Sequence, residues 1–317
     1  MYEALGFFLF GVFLLLLGGD SMVRGVSGLG QRFGLAPFTA GLLLLSVATS
    51  LPQLAVNAYA FEHGQVELAL GNAIGSTIAS LGLTLALAAI AAPLLLGMRA
   101  LVAEAVFVLV ATGAVLLFGI DGEIARWEAA LLLVGFAAFL VFVFTRGRNE
   151  PAEVQQELTE FAHTSTGMAQ NLSRLAIAAA VLYFGSKFVV ANALIIEPAL
   201  GLSAALTGLT VVAVGTALPQ VVTVALSAYR GHGNAVAGQV LGACLFNLLV
   251  VIGGMAAIRP VQLPASVISF AMPVAMAFGL VVYLLLTRDS RLGRRDGGIL
   301  GVLFVAWLAF ELIHAWR

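Results

Sequence analysis

The chain has 317 residues, 61% of them hydrophobic and only 10% charged, with a formal net charge of −1. A mean hydropathy of +1.07 is too apolar for a water-soluble surface, so the composition is that of a polytopic membrane protein. The lone cysteine, Cys244, excludes an internal disulfide and a cysteine-based metal cluster. No nucleotide loop, catalytic triad or thiol motif appears, so no enzyme activity, bound cofactor or nucleic-acid partner is expected.

Crossing a bilayer takes about 20 apolar residues. Ten such spans follow one another, at about 4–26, 35–61, 66–93, 97–119, 124–145, 171–196, 202–229, 234–258, 263–286 and 295–315. Span 1 lacks the charged leader and small-residue cleavage site of a signal peptide and is read as a retained helix. It carries Asp20. Span 2 contains Ala48-Thr49-Ser50-Leu51-Pro52-Gln53, and span 3 contains Gly71-Asn72-Ala73-Ile74-Gly75-Ser76-Thr77. After span 5 the polar stretch 146–170, with Glu150, Glu153, Glu157 and Glu160, reads as a cytoplasmic linker between a first half, 1–145, and a second, 171–317.

The second half repeats the first. Span 7 contains Gly215-Thr216-Ala217-Leu218-Pro219-Gln220 and span 8 contains Gly238-Gln239-Val240-Leu241-Gly242-Ala243-Cys244. At a constant offset of 167 (220 − 53), Thr49, Leu51, Pro52, Gln53, Gly71 and Gly75 fall on Thr216, Leu218, Pro219, Gln220, Gly238 and Gly242, and Gly18-Gly19-Asp20 falls on Gly185-Ser186-Lys187. This is an internal duplication. Corresponding spans are five apart, an odd number, so the two five-helix halves are expected to be inverted. Proline removes a backbone donor and glycine permits unwinding, so breaks are expected at Pro52, Gly71, Gly75, Pro219, Gly238 and Gly242 in spans 2, 3, 7 and 8.

Arginine sets the orientation. Arg32, Arg99, Arg146, Arg148, Arg174, Arg230, Arg288, Arg291, Arg294 and Arg295 lie on one side, and Arg126, Arg259 and Arg317 on the other. The first side is expected to be cytoplasmic, with both termini outside a plasma or inner membrane. Unwound backbone is tolerated in hydrocarbon only beside protein or a water-lined cavity. A central site is therefore expected, lined by Thr49, Ser50, Gln53, Ser76, Ser80, Thr216, Gln220 and Asn247, whose oxygens suit a hard inorganic cation. Asp20 and Lys187, charged within spans 1 and 6, are expected to form an intramembrane ion pair.

At these motifs the chain resembles the sodium/calcium exchangers of the cation/calcium exchanger superfamily. The resemblance implies an all-α membrane protein of ten helices in two inverted repeats, moving sodium or calcium by alternating access. In that family each half carries G-T-S-L-P-E and then G-N-x-x-G-S-N. The two glutamates, helped by an Asn or Asp 27 residues further on, hold the ions. Here those positions are Gln53 and Gln220, with Ser80 and Asn247 as helpers. The resemblance thus implies Gln53, Gln220 and Asn247 as weak metal ligands in a carboxylate-free site that favours a monovalent cation. The alternatives are a non-transporting member with a regulatory or scaffold role, and a passive cation channel.

Overall fold

The computed structural model describes residues 1–33, 41, 47–147, 149–162, 166–288 and 291–315. The beginning of the expected second span, Arg148 and Arg317 lie outside the described residues. Within hydrocarbon every backbone group must find its partner inside the segment, which favours helices. Among the described residues nine helices are long and apolar enough to cross a membrane.

Helix α1 spans Tyr2–Arg32, and α2 spans Leu51–Glu62 behind a 3-10 turn at Ala48–Ser50. The third span is α3, Val66–Ala79, a wide π-helical turn at Ser80–Thr84, and α4, Leu85–Ala91. Then come α5, Ala100–Phe118, and α6, Arg126–Gly147. The linker folds into a further helix, α7, Ala152–Ala162, which turns Val154 and Leu158 inward one turn apart. Helix α8 spans Met168–Leu200. The short α9, Ala204–Thr207, leads through a π turn at Gly208–Val212 into α10, Ala213–Tyr229. Helix α11, Gly233–Leu245, passes through a π turn at Phe246–Val251 into α12, Ile252–Ile258. A π turn at Val267–Ala271 opens α13, Met272–Arg288, and α14 spans Arg294–Ala315. Two short antiparallel ladders join the halves: β1 (Leu94–Leu95) pairs β4 (Arg291–Leu292), and β2 (Glu123–Ile124) pairs β3 (Val261–Gln262).

Helices α1 and α8 have 31 and 33 residues, about 46 and 50 Å at 1.5 Å per residue, so they must tilt across a core of about 30 Å. They pack against each other in opposite directions. Gly11 meets Gly185 and Val189, Gly18 meets Leu182, and Gly25 meets Leu175. A Cβ on Gly11 would lie 2.9 Å from the Gly185 carbonyl oxygen, so only glycine permits this approach. One residue on, Gly19 faces the ring of Pro52, whose Cγ would lie 2.8 Å from an added Cβ.

The breaks are only partly where proline and glycine suggest. Pro52 does follow a change of helix type, at the start of α2 where its missing N–H costs nothing. Pro219 instead sits inside the continuous α10, where it frees the carbonyl of Gly215, four residues back. Gly71 and Gly75 lie inside the regular α3, and Gly238 and Gly242 inside the regular α11. For the first pair the reason is packing: a Cβ on Gly71 would collide with the Ala205 carbonyl, and one on Gly75 with that of Leu209. The irregularities in spans 3 and 8 fall a few residues later, in the two wide turns that begin at Ser80 and Phe246.

Candidate ion-binding site

The start of α2, the end of α3, the middle of α10 and the turn after α11 converge in the protein interior. Gln53 and Gln220 are 3% and 7% exposed, and Ser80 and Asn247 are fully buried. Asn247 Nδ2 donates to Gln53 Oε1 at 3.1 Å, and Ser80 Oγ donates to Gln220 Oε1 at 3.2 Å. Residues 80 and 247 differ by 167, as do 53 and 220, so the two contacts are counterparts. Each crosses from one half to the other, and each helper serves the glutamine of the opposite half. Both helpers lie in π turns, where the wider turn re-aims the side chains of an otherwise regular helix.

A second buried network adjoins the first. Asn72 Nδ2 donates to Asn57 Oδ1 at 2.9 Å. Ser76 Oγ and Thr216 Oγ1 both donate to Asn72 Oδ1, at 3.2 and 3.1 Å, and the two hydroxyls are 3.4 Å apart. Asn57 is fully buried and absent from the residues expected from the motifs. Its position four after Gln53 on the same helix face was the available signal. Four buried polar atoms here have no hydrogen-bond partner: Ser50 Oγ, Asn57 Nδ2, Gln220 Nε2 and Asn247 Oδ1.

A cavity of about 410 Å³ reaches Gln53, Thr216 and Gln220 of these networks. Its inner wall is Thr49, Pro52, Gln53, Thr216, Pro219, Gln220 and Gln239. Its other end is formed by Asp20 and Arg24 of α1, by Thr223, Ser227 and Arg230, and by Phe161 of the linker helix. Asp20 is the carboxylate among these lining residues, and Arg24 Nε and Nη2 already donate to it at 2.9 and 3.1 Å. Among the described residues there is no group of three or more His, Cys, Asp or Glu side chains able to hold a metal.

The expected Asp20–Lys187 pair does not form. Asp20 pairs with Arg24 one turn along its own helix, and Lys187 is exposed. The antiparallel packing explains this: Gly18, beside Asp20, meets Leu182, whereas the neighbours of Lys187 meet Gly11. Nine residues of α1 separate the two levels (20 − 11), about 13 Å at the helical rise.

This fold has known counterparts. The family model described as sodium/calcium exchanger protein matches residues 3–145 and again residues 171–313. The chain belongs to the sodium/calcium exchanger family and is a multi-pass membrane antiporter of that type. It is similar to the putative antiporter CaxA of Alkalimonas amylolytica, with 30% identity over 313 residues covering 97% of this chain and 98% of that one. It is equally similar to the inner membrane protein YrbG of Escherichia coli (strain K12), with 30% identity over 318 residues, 98% of this chain and 97% of that one. A solved structure of the sodium-calcium exchanger NCX_Mj, soaked with 2.5 mM Na⁺ and 0.1 mM Ca²⁺, superimposes with a TM-score of 0.68 at 27% identity, covering 97% of this chain and 98% of that one.

Proposed function

We propose that this antiporter binds its cation between Gln53 and Gln220 and favours a monovalent ion over calcium. The observation that carries the reading is the neutrality of the two cross-half contacts: each glutamine oxygen is held by an uncharged donor, Asn247 or Ser80. The family's pattern has a glutamate at each of these glutamine positions. A divalent ion stripped of water needs negative partners, because its desolvation costs tens of kcal/mol by Born estimates. Amide, hydroxyl and carbonyl oxygens replace the shell of a monovalent ion at lower cost, as carbonyl filters do in channels. The unpartnered Asn247 Oδ1 and Ser50 Oγ are acceptors left over for an ion, which favours transport over a scaffold role.

The two halves would act as inverted repeats, and the excess of arginine makes the side of Arg230 and the linker cytoplasmic, with both termini outside. The cavity, which runs from the site toward Arg24, Arg230 and Phe161, then describes an inward-facing state. Outward access requires α1 and α8 to move across the core that holds the site. Amides do not titrate, so Gln53 and Gln220 supply no proton coupling.

Flux in proteoliposomes tests this. Sodium or potassium uptake that depends on a counter-cation gradient is the expected result. Calcium binding at micromolar concentration with sodium competition would overturn the monovalent preference, and uptake without any counter-ion would point to a channel.

A further inference from the structure

A second cavity, of about 430 Å³, shares no lining residue with the first. It lies between the beginning of span 7, the beginning of span 9 and the last turns of α14. Two of its walls are π turns: Leu209 belongs to Gly208–Val212, and Val267 to Ala271 form the other. Such wide turns recur at functional sites, and neither of these carries a residue of the central cavity.

The lining is apolar apart from Glu311 and His314 at one corner and two serines across from them. Glu311 is 8% exposed and makes no ion pair with a described residue; the salt bridges among those residues join Arg24 to Asp20 and Arg288 to Asp296. The Trp307 indole N–H, one turn before Glu311, is directed at its carboxylate but falls short of full hydrogen-bond geometry, and it is a neutral donor. His314 lies one turn beyond Glu311, with its ring stacked on Phe310 at 4.6 Å, and Phe310 in turn packs on Phe270 at 4.8 Å. Ser266 and Ser269 supply hydroxyls on the opposite wall. Glu311 and His314 are in the final turns of α14, and Ser266 is at the start of span 9. Helix ends of a membrane-spanning chain lie at the depth of lipid headgroups.

A carboxylate in apolar surroundings is costly without a charged hydrogen-bond donor. At headgroup depth the molecule that offers one joined to apolar chains is a lipid. We propose that this cavity binds the head of an aminophospholipid. Its primary ammonium donates to Glu311, the Ser266 and Ser269 hydroxyls donate to its phosphate, and its chains run out over Leu206, Phe270 and Phe310. A choline head has no N–H to donate, and a glycerol head has no cation, so the corner selects among headgroups. The bound head would also brace the Gly208–Val212 turn, whose Leu209 carbonyl packs on Gly75 and which leads directly into the helix bearing Thr216 and Gln220.

The test is native mass spectrometry of the detergent-purified chain titrated with phosphatidylethanolamine, phosphatidylcholine and phosphatidylglycerol of identical acyl chains. Phosphatidylethanolamine should be retained at least about threefold more than either of the others, a difference of about 0.7 kcal/mol. Glu311→Gln should reduce its retention to the phosphatidylcholine level with an unchanged melting temperature. Ser269→Phe, which fills the cavity, should lower retention of phosphatidylethanolamine as well. Equal retention of the three lipids by the unaltered chain overturns the proposal without recourse to any variant, as does an ethanolamine preference that survives Glu311→Gln.

Discussion

Glu157 accepts a hydrogen bond from Asn234 Nδ2 at 2.6 Å and another from the Ala235 backbone N–H at 2.9 Å, which fastens the linker helix to the beginning of α11. Asn234 Oδ1 in turn accepts from the Gly97 and Met98 N–H groups, both at 2.8 Å. At the other end of the linker, Glu150 accepts from Arg99 N and Ala100 N at 2.8 and 2.9 Å. The first N–H groups of a helix have no intrahelical partner and attract negative charge. The linker carboxylates thus cap one spanning helix in each half.

Removing that cap should be costly. Glu157→Ala strands the Ala235 N–H and the Asn234 amide, and should lower stability by about 1–3 kcal/mol. Glu153→Ala, exposed on the same helix, should change it by less than about 0.5 kcal/mol. Thermal melting of the two variants side by side checks the contrast, and equal losses would count against a capping role.

Restoring charge at the centre should restore divalent binding. With Gln53→Glu and Gln220→Glu together, calcium should raise the melting temperature where it leaves the unaltered chain unchanged. At a calcium concentration of 100 Kd the stabilisation should reach about 2.7 kcal/mol. Titration of both proteins with calcium, magnesium, sodium and potassium reads this directly.

The two kinds of glycine should respond in opposite directions. Gly75→Ala drives a methyl group into the Leu209 carbonyl and should cost about 1–3 kcal/mol or more by overpacking. Gly254→Ala, inside a helix with open space around its Cβ position, should stabilise by about 0.5–1 kcal/mol through helix propensity. Denaturation midpoints of both variants decide it.

The Asp20–Arg24 pair is exposed, with side chains 50% and 60% accessible. Asp20→Asn should therefore change stability by less than about 1 kcal/mol, as is usual for such pairs. Lys187→Met should leave the melting temperature within the same range. A loss of several kcal/mol in either variant would reveal a structural ion pair after all.

The motif pairs made the centre of this molecule legible in the sequence, because Thr-x-Leu-Pro-Gln recurs at a fixed offset and its polar residues have few reasons to lie in hydrocarbon. Gln53, Gln220, Ser80 and Asn247 do meet there, although the offset could not reveal that each glutamine takes its partner from the opposite half. The helix breaks were harder to place. A glycine within a span permits unwinding or close packing equally, and only the carbonyls of Ala205 and Leu209 facing Gly71 and Gly75 decide for packing. Asn57 was hidden because its counterpart at the offset of 167 is Val224, so the repeat gave no second copy to draw attention to it. The roles of Glu150 and Glu157 were hidden as well, since a carboxylate that caps a distant helix looks in sequence like one that faces water.

Gly11, Gly18 and Gly25 recur every seventh residue along α1, each against α8. Gly11 lies against the α8 backbone, and Gly18 and Gly25 lie against the side chains of Leu182 and Leu175, all too closely to leave much slack, so the two long helices behave as one beam. Where Gly19 presses on the ring of Pro52, that beam rests on the residue next to Gln53. Were that beam to tip toward one face of the membrane, as the proposed exchange requires, it would rock about a bearing beside the cargo. A bulky side chain at Gly19, which also lines the cavity, would both jam the pivot and narrow the approach to the glutamines.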